Sequence, residues 1–201
     1  MNTPNWLIIH HTGSTAMDPK ADTSHHTFED VNEYHRDLWD ETTRSSLGYY
    51  IGYHYFIDKS GKVTQGRADT DRGAHTIGAN ASSLGICMSG NFDVTKPTEA
   101  QVKSLKTLVK RLMKKYNIPV RRLVPHRKFA SYKSCFGSGL DNGYVKDLIL
   151  KDMFPYFPKD VIRTIRQLIS IGRIKDMFLV DTFGGDMRDL GAPCYSKSDN
   201  I

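Results

Sequence analysis

The chain has 201 residues, of which 39% are hydrophobic and 25% charged, so it fits one domain with room for an appendage and excludes wholesale disorder. No run of about 18 apolar residues occurs, so no membrane span is readable, and the opening MNTPNWLIIHHTG has neither a basic segment nor a cleavage site, so no secretory signal is expected. The formal net charge of +6 suits an anionic partner, without choosing among nucleic acid, a membrane surface and a bacterial envelope.

Residues 5–9 (NWLII) form a short apolar run ending at the pair His10-His11, and read as a buried strand. Residues 12–26 are polar and turn-rich, a loop. Residues 27–39 read as a helix: Thr27 caps, Asp30 follows three positions later, and Phe28, Val31, Tyr34, His35 and Leu38 share a face. Residues 53–57 and 62–65 flank the turn Asp58-Lys59-Ser60-Gly61 and predict a hairpin. Residues 83–89 (SLGICMS) read as another buried strand. Residues 98–116 give the clearest helix, with Thr98 and Gln101 as a capping box and a stripe of Val102, Leu105, Leu108, Val109, Leu112, Met113 and Tyr116.

A short last strand is expected within 117–124 and a loop over 125–139. Beyond about residue 150 the character changes. Residues 159–171 are an amphipathic helix with Val161, Ile162, Ile165, Leu168 and Ile169 on one face, residues 174–183 are a second apolar stretch, and the terminus reads as frayed. The order of elements predicts an α/β fold, a mixed central sheet flanked by helices. We divide the chain into a domain over 1–150 and a helical C-terminal extension over 151–201.

The cysteines are Cys87, Cys135 and Cys194. An odd, sparse set argues against a disulfide framework and fits a reducing compartment or a metal role for one thiol. His10 and His11 end a strand, His126 lies in the late loop, and Cys135 follows it. Two imidazoles and a thiolate would hold a catalytic zinc with one open position. Spacing alone does not separate this from a core-satisfied His pair and an inert cysteine. Cys87, in an apolar strand, reads as core. No C-x2-C or paired Cys/His spacing supports a nucleic-acid-binding zinc module, and the Lys-rich side of the 98–116 helix reads as a solvated face.

The order of several blocks is more specific. WLIIHHTGS, GYHYFIDKSGKVTQGR, GAHTIGANASSLGICMSGNFD, PTEAQVKSLKTLVKRLMKKY and PHRKFASYKSCFGSG together resemble, in sequence order over about residues 5–140, the type 2 zinc-dependent N-acetylmuramoyl-L-alanine amidases. That family shares its fold with the peptidoglycan recognition proteins, and the short phage lysozymes of the amidase kind are the nearest resemblance. The resemblance implies an amidase and peptidoglycan recognition protein-like fold. It also implies one Zn2+ held by His10, His126 and Cys135, with His11 on the opposite side of the strand in a structural role.

It further implies Tyr53 near the metal as a catalytic phenol, Lys133 as a catalytic ammonium for the oxyanion, and His75 as a substrate-groove residue. His54 faces away from Tyr53, and His25, His26 and His35 have only surface or helix-face readings. Two departures stand out. The 126–135 loop is one residue longer than the usual family spacing, so it must bulge, and the register of Lys133 stays open. Phe136 stands where many members have proline.

The expected activity is hydrolysis of the amide between N-acetylmuramic acid and L-alanine in peptidoglycan, as in a phage endolysin. The alternatives are a non-catalytic peptidoglycan-binding module of the same fold and, from the basic charge alone, a nucleic-acid-binding zinc protein. The expected partner is peptidoglycan, with no nucleic acid. The expected location is the host cytoplasm, with action on the cell wall after membrane breach; secretion by another route is the alternative.

Overall fold

The computed structural model describes residues 1–14, 17–39 and 41–172. The expectations for 174–183, for Cys194 and for the last residues lie outside these. The fold is α/β, as expected. A five-stranded sheet is built from β1 (Trp6–His11), β2 (Tyr55–Ile57), β3 (Val63–Gln65), β4 (Ser83–Met88) and β5 (Leu123–Pro125) in the order β3-β2-β4-β1-β5. The pairs β2·β4, β4·β1 and β1·β5 are parallel, and only the β2–β3 hairpin is antiparallel. The helices are α1 (Phe28–Leu38), α2 (Glu99–Tyr116), α3 (Tyr144–Met153) and α4 (Lys159–Ser170). Among the described residues, no helix is long and apolar enough to cross a membrane.

β1 and β4 lie centrally, so both their faces are covered, and β1 from Leu7 onward and all of β4 are buried. Alternation along the strands divides the sheet. Leu7, Ile9, Tyr55, Ile57, Leu84, Ile86 and Met88 join the main core with Leu105, Leu108, Val109, Leu112 and Met113 of α2. On the other face, Phe56 and Cys87 pack with Phe28 and Val31 of α1.

The capping boxes expected at Thr27/Asp30 and Thr98/Gln101 are both formed. Gln101 also donates to Ser89 O at 2.7 Å, so the start of α2 is tied to the end of β4. The apolar face of α1 is narrower than expected. Phe28, Val31 and His35 are buried, while Tyr34 and Leu38 are exposed, because only that i, i+3, i+7 stripe meets the sheet. α3 has no counterpart in the sequence reading. Gly143 at its cap offers no capping side chain, and its apolar residues bunch together instead of repeating. The expected C-terminal helix is present, and its Ile162 and Ile169, with Ile149 and Leu150 of α3, belong to the main core.

Candidate metal centre

His10 and His11 share the end of β1 but project to opposite faces. His10 pairs in register with Cys87 of β4. β5 lies on the other side of β1 and ends at Pro125, so His126, the next residue, begins a short 3-10 turn beside His10. The two rings have centroids 4.5 Å apart. Cys135 arrives from the following loop, with Sγ 3.7 Å from His10 Nδ1. One ligand atom from each of His10, His126 and Cys135 lies within 4.8 Å of the others. The structure thus brings together the three residues on which the sequence reading placed a metal.

The loop that carries Cys135 is held by its own chain. The Arg127 N–H donates to Cys135 O at 2.7 Å. The Arg127 guanidinium donates to Ser134 O at 2.9 Å, to Gly137 O at 2.7 Å and to Leu140 O. Asp93 accepts from Ser134 Oγ at 2.7 Å and from the Ser138 N–H at 2.5 Å. Gly137 has φ +101°, and a Cβ there would lie 2.5 Å from Phe92 Cβ, so the turn closes on Phe92 only because no side chain intervenes.

Burial, with the neighbouring His75 and His126, holds His10 well below the usual imidazole range. Burial, helped by Lys133, lowers His126 to about 4. Burial raises the Cys135 thiol to about 12, against a hydrogen bond from the His11 backbone N–H and the charges of Lys133 and Arg127. Neutral imidazoles are already in their ligand form, and a divalent cation would displace the thiol proton. Two nitrogens and a sulfur with no carboxylate suit a borderline transition ion better than calcium or magnesium.

Tyr53 stands beside this trio, its ring centroid 5.0 Å from that of His10. Its hydroxyl donates to the Cys87 sulfur, and burial raises its pKa well above the ordinary value. Cys87 is therefore a core residue, as read, but also the partner that holds the phenol. Lys133 is exposed, with its ammonium 6.0 Å from the centroid of the Tyr132 ring, yet close enough for its charge to act on His10, His126 and Cys135. His75 does not stand apart from the trio: its Nδ1 lies 3.0 Å from His10 Nε2.

The remaining histidines are structural or peripheral. His11 Nδ1 accepts the Phe92 N–H at 3.0 Å on the core face. His54 is buried, accepts the Gly85 N–H at 3.1 Å and donates to Asp71 O at 3.0 Å. His35 is buried on the helix face read for it, stacked on Trp39 at 4.4 Å, and its Nδ1 accepts the Gly52 N–H at 3.2 Å. His25 and His26 pair with each other on the loop before α1. Sequence reasoning missed Arg127 and Asp93, whose loop partners lie too far along the chain to form a motif. It also missed Gly85, whose position inside a strand is a legible sign of close approach.

Comparison with known proteins agrees with this geometry. The chain is 36% identical over 85 residues to peptidoglycan-recognition protein SD of Drosophila melanogaster, which covers 42% of this chain and 46% of that protein. It is 33% identical over 108 residues to the endolysin of Escherichia phage T7, covering 51% of this chain and 70% of the endolysin. The chain spans about half the length of several of the curated relatives it matches. Among solved structures, the endolysin N-acetylmuramoyl-L-alanine amidase LysCS from Clostridium intestinale superposes with a TM-score of 0.53 at 29% identity, over 83% of this chain and 85% of that one. The family profile described as N-acetylmuramoyl-L-alanine amidase matches residues 1–138, and the chain belongs to that family.

Proposed function

We propose that the protein hydrolyses the amide joining N-acetylmuramic acid to L-alanine in peptidoglycan, using one zinc ion held by His10, His126 and Cys135. The convergence of those three ligand atoms carries the reading. With zinc bonds of about 2.0–2.1 Å to nitrogen and 2.3 Å to sulfur, a tetrahedral N···S edge is about 3.6 Å; the separation of His10 Nδ1 and Cys135 Sγ is 3.7 Å. Family membership and the likeness to phage and clostridial endolysins support the substrate.

When bound, zinc would supply Lewis-acid polarisation of the amide carbonyl and activation of water. Tyr53 stays protonated because it is buried, so once its O–H turns from the Cys87 sulfur it serves as a hydrogen-bond donor and not as a base. Lys133 places a positive charge at the rim, where a developing oxyanion gains roughly 3–4 kcal/mol from one well-placed donor. Water adds hydroxyl to the lactyl carbonyl carbon and a proton to the departing alanine nitrogen, and the C–N bond breaks.

A second reading, recognition without cleavage, is favoured by the likeness to peptidoglycan recognition proteins. The presence of Cys135 weighs against it. The test is digestion of purified peptidoglycan by the zinc-loaded chain and by Cys135→Ser, with mass spectrometry of the products. New alanine amino termini released only by the parent are expected. Wall binding without release supports the recognition reading, and new reducing sugar ends mark a glycosidase instead.

A further inference from the structure

The two nitrogens of His10 face different partners. Nδ1 looks at Cys135 Sγ, 3.7 Å away, while Nε2 lies 3.0 Å from His75 Nδ1 and 3.4 Å from Thr76 Oγ1. An imidazole that ligates through Nδ1 keeps its proton on Nε2 and, when buried, needs an acceptor for it. His75 Nδ1 is the nearer of the two. Thr76 Oγ1 also lies 2.9 Å from that nitrogen, and the other side of the His75 ring leaves Nδ1 as its acceptor. His75 Nε2 lies 3.5 Å from Ser83 Oγ, and Ser83 Oγ itself donates to Ala79 O at 2.7 Å, so it accepts from His75. The directions then agree along the whole row: His10 Nε2–H to His75 Nδ1, His75 Nε2–H to Ser83, Ser83 to Ala79 O.

The ring is also seated. A Cβ on Gly85 of β4 would lie 2.6 Å from His75 Cγ and Cδ2, and one on Gly73 would lie 2.5 Å from Cδ2. These are distances that only glycine permits. The backbone on either side of the ring is fixed as well, because Asn80 Oδ1 accepts the N–H groups of His75 and Thr76 at 2.9 and 2.7 Å.

We propose that His75 is a positioning residue for the metal ligand His10. It fixes the tautomer and the ring plane of His10 so that Nδ1 faces the ion, using a neutral imidazole where metal-bound histidines commonly engage a carboxylate, a backbone carbonyl or water. This inference rests on the metal reading of the trio. It replaces the groove contact implied by family resemblance with a role in holding the ion.

The test is zinc affinity, measured on the full chain by competition with a chromophoric chelator, beside peptidoglycan hydrolysis by the loaded protein. His75→Ala is expected to bind zinc about 10- to 100-fold more weakly. His75→Asn, whose Oδ1 replaces the Nδ1 acceptor, is expected to recover affinity to within about threefold of the parent. Gly85→Ala provides an arm that leaves His75 in place. It should weaken zinc binding in the parent by pushing on the ring, and should add nothing in the His75→Ala background, where no ring remains to push. The inference is overturned if His75→Ala binds zinc as the parent does while KM for the wall rises, because His75 then acts on substrate. Failure of the parent itself to bind zinc would overturn the metal reading and this inference with it.

Discussion

The loop bearing Cys135 gives the sharpest test of how the site is held. Arg127 is half-buried, and its guanidinium donates to the carbonyls of Ser134, Gly137 and Leu140. Hydrogen bonds from a charged donor contribute about 1.5–3 kcal/mol each. Three at the low end give roughly 4.5 kcal/mol, and water reaching the exposed carbonyls recovers part of that. Arg127→Met, which keeps most of the volume and none of the donors, should therefore cost about 2–3 kcal/mol. For a chain of this size that is a fall of about 4–12 °C in Tm.

The zinc affinity of Arg127→Met should fall about tenfold or more, because the third ligand is no longer held in place. Arg127→Lys should rescue little, since a single ammonium cannot replace a planar fork that spans three carbonyls. Calorimetry of the apo protein and chelator competition measure the two effects. If Arg127→Met melts within about 1 °C of the parent and binds zinc as tightly, the loop is not held by this residue and the reasoning fails.

Three further outcomes follow from the same structure. Burial would raise the Asp69 carboxyl, but hydrogen bonds from Tyr116, Tyr55 and Lys115 outweigh it and hold it below the usual range. Asp69 therefore contributes stability that is fully present above the unfolded carboxylate pKa of about 3.9 and lost as pH falls through the lower folded value. Urea denaturation should show Asp69→Asn less stable than the parent at pH 6, with the gap narrowing as pH falls below the unfolded value of about 3.9; a gap that widens in acid contradicts the sign. Leu105 is fully buried between α2 and the sheet, so Leu105→Ala should cost about 3–5 kcal/mol in the same assay, and a cost under about 1 kcal/mol would show that the site collapses freely. His11→Ala strips the acceptor from the buried Phe92 N–H and should cost about 1–3 kcal/mol while leaving measurable zinc binding, whereas His10→Ala should abolish it.

Where structure was legible in the sequence, the signal was local. The run Trp6–Ile9 bounded by turn formers, and the capping pairs Thr27/Asp30 and Thr98/Gln101, each describe contacts within a few residues, and all formed. The trio of His10, His126 and Cys135 was legible only through family resemblance, because nothing in its spacing brings the three together; the β4-β1-β5 order does. Arg127 escaped notice because its partners are backbone carbonyls, which carry no residue identity. The groove role of His75 came from family resemblance, and a histidine in a loop gives no sign in the sequence of the contact with His10. The narrow face of α1 escaped for a related reason: periodicity counts apolar residues but does not say how much sheet lies beneath them.

The His10-His11 pair shows how one strand serves two purposes. Alternation sends His10 to the face of His126 and Cys135 and His11 to the core face, so neither can substitute for the other. His11 nonetheless bears on the metal side through the chain. Its backbone N–H reaches the Cys135 sulfur. Its ring accepts from Phe92, and Phe92 in turn packs so closely under Gly137 that no Cβ fits between them. One histidine thus belongs to the proposed ligand trio, and its neighbour supports the turn that delivers another member of it 125 positions away from the first. A one-residue slip of β1 would turn His10 toward the core face and His11 away from it, taking His10 from His126 and Cys135 and the His11 ring from Phe92. The pairing of His10 with Cys87 and of Ile9 with Pro125 on the two flanks of β1 opposes that slip from both sides.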